Sequence, residues 1–185
     1  MALADFGKEA VEPLVKAFRE QGPEVRKCAA LALGNIGEPA FEFMKQMVND
    51  KDAGVRADAI SVLGMIRSKD AFDVFTTALK DEDSEVRMSA TWALGKLEDK
   101  AAVEHVAALL EDRDEKVRIC AAITLAELGD NRAIELLIEA VKSTEKTGMR
   151  SISIEATWAL RTLTKQEFDN DYNKWKEWYE KNKDK

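Results

Sequence analysis

Histidine occurs once in these 185 residues, cysteine twice and proline three times, and each scarcity narrows what the chain can do. A single imidazole, His105, rules out metal sites built on several histidines and leaves no second one to assist a nucleophile. At about 100° per residue it points away from the stripe of Val103, Val106, Ala107 and Leu110, so it is expected to face solvent. Cys28 and Cys120 lie inside helical patterns, with no Cys-x-x-Cys spacing and no neighbouring histidine. They read as free buried thiols in a reducing compartment, rather than a disulfide or a ligand pair. No apolar run approaches the roughly 18 residues that cross a bilayer, and "MALADFGKEAVEP" lacks the basic-then-apolar order of a secretion signal. A cytoplasmic protein without membrane contact is expected.

Basic clusters are missing too. The formal charge is −7, and Lys and Arg are interspersed with acids except in the C-terminal tail. Nucleic-acid affinity comes largely from grouped cations that release counterions, so no nucleic-acid partner is expected. No Gly-x-Gly-x-x-Gly or Gly-Lys-Ser/Thr loop is present to cradle phosphate. With 35 carboxylates, a pair of them falling close together carries little information. The expectation is a protein that is not an enzyme and needs no metal and no cofactor.

What the chain has in abundance is repetition. "ATWAL" is spelled at Ala90–Leu94 and again at Ala156–Leu160. A longer phrase recurs as "VRKCAALALGNIG" from Val25, "VRADAISVLGMIR" from Val55, "VRMSATWALGKLE" from Val86 and "VRICAAITLAELG" from Val117, at spacings of 30, 31 and 31 residues. Aligning the two pentapeptides places Ile152 in the Val86 position, 35 residues after Val117, with the extra residues in the polar "KSTEKTGMRS".

Each unit reads as two helices. The first carries apolar residues at helical spacing, as in "AVEPLVKAF", "AFEFMKQMV", "AFDVFTTAL", "AAVEHVAALL" and "AIELLIEAV". The second begins at Val-Arg. Asp52, Asp83 and Asp114 stand three residues ahead of successive valines, where a carboxylate can cap the orphan N–H groups and meet the positive end of the helix dipole. Gly22-Pro23 holds that place in the first unit. Gly37 and Gly129 supply helix-ending positions. A pair of about 30 residues cannot bury both apolar faces alone, whereas stacked copies join them into one core. The fold class expected is all-α: an α-solenoid, a right-handed α-α superhelix, of about five two-helix units.

The phrase Asp-x-x-Val-Arg-x-x-Ala followed by Leu-Gly resembles the short HEAT-like repeat of phycobilisome lyase subunits and many prokaryotic HEAT proteins. The resemblance covers residue 2 to about 164. It implies that Arg26, Arg56, Arg87 and Arg118 brace one repeat against an acidic side chain of a neighbour, with Asp50, Asp81 and Asp112 at suitable spacing, and that Asp52, Asp83 and Asp114 are likewise structural between repeats. Surface recognition is the other reading of the arginines. The fifth unit departs: Ser153 replaces the arginine, and Arg161 stands where Gly95 does. The iron-binding deoxyhypusine hydroxylase branch uses recurrent His-Glu pairs, and "HE" never occurs here. The branch that excises damaged DNA bases uses a basic concave surface, which the acidic balance disfavours.

Units are expected near 8–37, 38–67, 68–98, 99–129 and 130–164. "ALADFG" aligns with "ALGNIG", so residues 1–7 read as the tail of an incomplete unit, with Leu3 and Phe6 near an open edge through which the chain could self-associate. Residues 165–185, "KQEFDNDYNKWKEWYEKNKDK", resemble the closing segment of short-HEAT proteins. Trp175, Trp178 and Tyr179 at i, i+3 and i+4 would form an aromatic face of a C-terminal capping helix. A protruding recognition helix is the alternative.

On a helical wheel Trp92 falls near ~240° from Val86, off the face toward its own partner helix. Met88 and Lys96 flank it. Equivalent positions give a stripe of Leu31, Met65, Met88, Trp92, Lys96, Ile119, Ile123, Ile154 and Trp158, interrupted at Ser61. In HEAT arrays the second helices line the concave side, which would make this stripe a partner-binding groove. Burial between neighbouring second helices is the competing reading. The expected function is a non-enzymatic scaffold or adaptor binding another protein as a peptide, helix or folded domain, with Asp58, Glu127 and Glu155 favouring a partly basic partner. The alternative is an accessory lyase or chaperone-like factor holding a tetrapyrrole or other prosthetic group.

Overall fold

The computed structural model describes the backbone of residues 3–147 and 150–183, and the side chains of residues 7–142 and 153–183. Expectations placed on Leu3, Phe6 and the Ile152 side chain lie outside the described residues. The regular elements are all helical. They fall in two compact units, Met1–Glu98 and Asp99–Lys185. The first contains α1 (Leu3–Glu20), α2 (Pro23–Ile36), α3 (Phe41–Met47), α4 (Ala53–Ile66), α5 (Phe72–Ala78) and α6 (Ser84–Lys96). The second contains α7 (Ala102–Ala107), α8 (Glu115–Glu127), α9 (Ile134–Thr147), α10 (Arg150–Thr164) and α11 (Tyr172–Asn182). The fold is an all-α solenoid of paired helices.

Local chemistry starts and stops the even-numbered helices. Asp52 accepts from the Val55 N–H, Asp83 from those of Glu85 and Val86, and Asp114 from those of Lys116 and Val117. Such a cap is worth about 1 kcal/mol against alanine. α2 instead begins on Gly22 and Pro23, with no side-chain cap. Twelve residues after each valine the chain turns through positive φ: 81° at Gly37, 56° at Arg67, 54° at Glu98 and 83° at Gly129. Glycine adopts this conformation freely, whereas Arg67 and Glu98 adopt it at some cost in strain.

The core follows the helical stripes. In the first unit α2 packs on α1 and α4, and α4 on α3 and α6. Phe18, Leu33, Met44, Ile60, Leu63, Phe75 and Leu94 are fully enclosed. In the second unit α8 packs on α7, α9 and α10, and α11 packs on α9. Leu125, Leu137, Leu160 and Trp175 are fully enclosed there.

Two expectations need correction. α1 runs unbroken from Leu3 to Glu20, so no turn separates residues 3–7 from the first helix, and "ALADFG" is not the end of a separate second helix. Its likeness to "ALGNIG" is one of apolar spacing. Gly7 lies within α1, with Ile36 at an ordinary contact distance of 3.7 Å from where a β-carbon would stand. Cys28 is exposed, not buried, because it lies on the solvent side of α2 with Val25 and Leu31.

The C-terminal segment is tied down by its aromatics and polar tips. Asp171 accepts from the Lys174 N–H to start α11. The Trp175 indole N–H donates to the Asp169 carbonyl at 2.7 Å, and Phe168 meets the same ring edge-on with centroids 4.9 Å apart. Tyr172 and Tyr179 reach back to α9, donating to Glu139 at 2.9 Å and to Glu135 at 3.4 Å. Thr157 donates to Asn170 at 2.7 Å, fixing the connection to α10.

Candidate binding surface

The stripe read from the sequence divides three ways. Leu31, Ile154 and Trp158 are exposed, at 59%, 60% and 56% of their surface. Met65, Met88, Trp92, Lys96 and Ile123 are half-buried. Ile119 is 7% exposed, which corrects its assignment to an open surface. It lies near the start of α8 and lines a cavity with Leu110 and Leu136.

Two half-buried members are engaged by glycines of the preceding second helix. A β-carbon on Gly34 would stand 2.5 Å from Met65 Cε, and one on Gly64 would stand 2.8 Å from Trp92 Cζ3. Both glycines lie nine residues after their valine. Missing a side chain, each forms a shallow seat for the next helix. Lys96 Nζ lies 5.6 Å from the Trp92 ring centroid, within cation–π range. Ser61 does interrupt the stripe, and its hydroxyl pairs with Ser89 at 3.3 Å across α4 and α6.

The arginines after each valine hold the turns together. Arg56 Nη1 donates to the Asp50 carbonyl at 2.9 Å, while its Nε and Nη2 grip Asp81 at 2.9 and 2.7 Å. Burial acts against the charged form of Asp81, but the Arg56 hydrogen bond and the Asp83 N–H hold its carboxyl below the ordinary carboxylate value. Hydrogen bonding to Asp81 raises Arg56 in turn. Arg26 reaches Asp58 on α4 at 2.7 Å. Asp58 is therefore engaged between repeats and is not a free acid for a partner. Arg87 donates to the Asp81 and Glu82 carbonyls, and Arg118 to the Asp112 carbonyl. The carboxylates of Asp50, Asp81 and Asp112 each accept from the N–H two residues on, closing the loop that leads to the capping aspartate.

His105 is exposed, and no group of three or more metal-ligating side chains occurs among the described residues. No helix among them is long and apolar enough to cross a membrane. The Asp83-type caps were recoverable from spacing. The engagement of Asp58 was not, since an aspartate facing outward in mid-helix carries no mark of its partner.

Paired helices in register, capped by aspartates and braced by arginines, define a helical-repeat solenoid. A family model described as HEAT repeats matches residues 1–60, 41–112 and 94–158, and the chain belongs to the HEAT-repeat family. Among solved structures it is similar to the complex of CpcE and CpcF of phycocyanin lyase from Nostoc sp. PCC7120. That match has 25% identity and a TM-score of 0.64, over 80% of this chain and 98% of that one. An engineered protein from the Northeast Structural Genomics Consortium is similar at 23% identity and a TM-score of 0.52, over 83% of this chain and 78% of that one, which shows the fold alone. No curated protein sequence matches at a significant level.

Proposed function

We propose that the protein is a non-enzymatic scaffold of the cytoplasm whose second-helix surface takes up another protein. The observation that carries this reading is on α10: Ile154 and Trp158, one turn apart, leave more than half of their surface in water. Two large apolar side chains stacked along one helix face suit anchoring of a partner, and tryptophan is enriched among residues that dominate binding energy. Glu155 on α10 and Glu127 on α8 are exposed in the same unit, which favours a partly basic helix or peptide. Leu31, Met65, Met88, Trp92, Lys96 and Ile123 are proposed as further contacts, the half-buried ones presenting only part of their surface. The similar CpcE and CpcF chains form a complex with each other, which supports a protein as the ligand class. Self-association is proposed through the N-terminal edge of the array. Neither nucleic acid nor membrane is part of the proposal.

The test is affinity capture from a lysate of the source organism, with a folded Ile154→Ser/Trp158→Ser variant in parallel and direct titration of whatever is captured. A partner bound only by the unaltered protein, with quenching of Trp158 fluorescence on titration, supports the reading. Equal binding by both proteins overturns it.

A second reading is favoured by the similarity to phycocyanin lyase subunits: an accessory factor that holds a tetrapyrrole. Incubation with a linear tetrapyrrole followed by gel filtration distinguishes it. Chromophore absorbance co-eluting with the protein supports this reading, and elution of all colour at the small-molecule volume removes it.

A further inference from the structure

Arg56 shows what a bracing arginine of this repeat can hold, and among the described residues Arg118 has no matching carboxylate. Arg56 is fixed by its Nη1 bond to the Asp50 carbonyl and offers Nε and Nη2 to both oxygens of Asp81. Asp81 stands five residues before the next unit's valine, Val86. Arg118 is fixed the same way, Nη1 to the Asp112 carbonyl at 2.7 Å. Five residues before Ile152, however, the sequence has Thr147, and among the described residues no carboxylate forms an ion pair with Arg118. Arg118 lines a cavity of about 560 Å³, within the range of small-molecule sites.

The other walls narrow the ligand. Leu110, Ile119, Leu136 and Ala140 are its apolar lining, Glu115 lines it on α8, and Glu135 and Glu139 line it on α9. Glu135 and Glu139 accept from the Tyr179 and Tyr172 hydroxyls, and Lys142 Nζ lies 3.6 Å from Glu139. Arg132, also at the wall, is already held by Asp130 and Glu104. A simple anion would meet Arg118 and be repelled by the glutamates, and a simple cation would face the reverse. A molecule carrying both charges on an apolar body matches Arg118, the carboxylates and the apolar lining together.

We propose that this cavity binds a small zwitterion, of the class of apolar amino acids and short apolar peptides. Its carboxylate takes the place on Arg118 that Asp81 takes on Arg56. Its ammonium sits toward Glu135 and Glu139, and its side chains rest on Leu110, Ile119 and Leu136. A planar guanidinium fixed in advance by a backbone carbonyl is suited to bidentate carboxylate recognition. This site is independent of the α10 surface.

The probe is leucyl-leucine, titrated into the whole isotope-labelled protein and followed by amide NMR. Saturable shifts centred on residues 110–119 and 135–140 are expected. Affinity should fall at least tenfold when the amine is acetylated or the carboxylate amidated, and at least tenfold in Arg118→Gln. Leu136→Trp, which fills the cavity and leaves Arg118 in place, should abolish binding even where Arg118→Gln fails to fold, and Trp158→Ala should leave it unchanged. No saturable shift, capped forms binding as well as the zwitterion, or undiminished binding by folded Leu136→Trp would overturn the proposal.

Discussion

Trp92 rests on Gly64, with its Cζ3 2.8 Å from where a β-carbon on that glycine would stand, and Ala93 closes the same spot at 2.9 Å from its own Cβ. The glycine is therefore required by close approach, since its φ is ordinary for a helix. Gly64→Ala adds helix propensity but drives a methyl into both neighbours. The overpacking term wins, and a net loss of about 1–3 kcal/mol is expected in chemical denaturation.

In the second unit the same register position is Ala126, 1% exposed, and it supplies the methyl that Gly64 lacks. Trp158, the counterpart of Trp92, is 56% exposed. The two tryptophans of the repeated pentapeptide therefore separate on substitution. Trp158→Ala should change stability by less than ~0.5 kcal/mol, as for a surface site. Trp92→Ala leaves an emptied seat over Gly64 and should cost about 1–3 kcal/mol, the lower part of the range for a large-to-small change because the ring is only half-buried. Urea titrations of both variants check this, and equal losses would place the two rings in the same environment.

Arg56 and Asp81 make a part-buried ion pair, with side chains 11% and 17% exposed, whereas Arg132 and Glu104 are exposed at 46% and 80%. The folded Asp81 carboxyl lies below its ordinary value of 3.8. Its contribution is thus fully present above that value and is lost as pH falls through the lower, folded one. Asp81→Asn should cost about 1.5–3 kcal/mol near neutral pH, the worth of a hydrogen bond to a charged group. The difference from the unaltered protein should narrow below pH 3.8. Glu104→Gln should leave the denaturation midpoint where it is.

Much of this architecture is legible in the sequence because a repeat prints each constraint several times. Asp52, Asp83 and Asp114 mark helix starts by spacing alone, and the valine-to-valine interval gives the helix pairs. The surface is less legible because burial there depends on single substitutions elsewhere in the stack. Gly64 against Ala126 decides whether a tryptophan is seated, and nothing in "ATWAL" carries that difference. Ile119 and Ile154 occupy equivalent positions as well, yet one is 7% exposed, lining the cavity with Leu110 and Leu136, and the other stands open at 60%. That no carboxylate among the described residues pairs with Arg118 was hidden for the same reason. Its own residues match the other units, and the departure lies 29 residues downstream, where Thr147 stands in place of an aspartate.

The two thiols offer a separate check on how the helices pack. Cys120, on α8, is largely withdrawn from water, and burial pushes its pKa up to about 12 against a weaker opposing hydrogen bond from Thr124. Since the thiolate is the reacting form, less than a thousandth of it is expected to be ionised at pH 8, on the order of 10⁻⁴. Cys28 lies exposed on α2. Iodoacetamide at pH 8 should therefore modify Cys28 alone in the folded protein and both thiols in denaturant, with peptide mass spectrometry locating the label. Modification of Cys120 at a comparable rate without denaturant would mean that α8 opens readily from α10. In that case protection of the Cys120 thiol should rise with any ligand that stabilises the second unit, whereas reaction at Cys28 should not change.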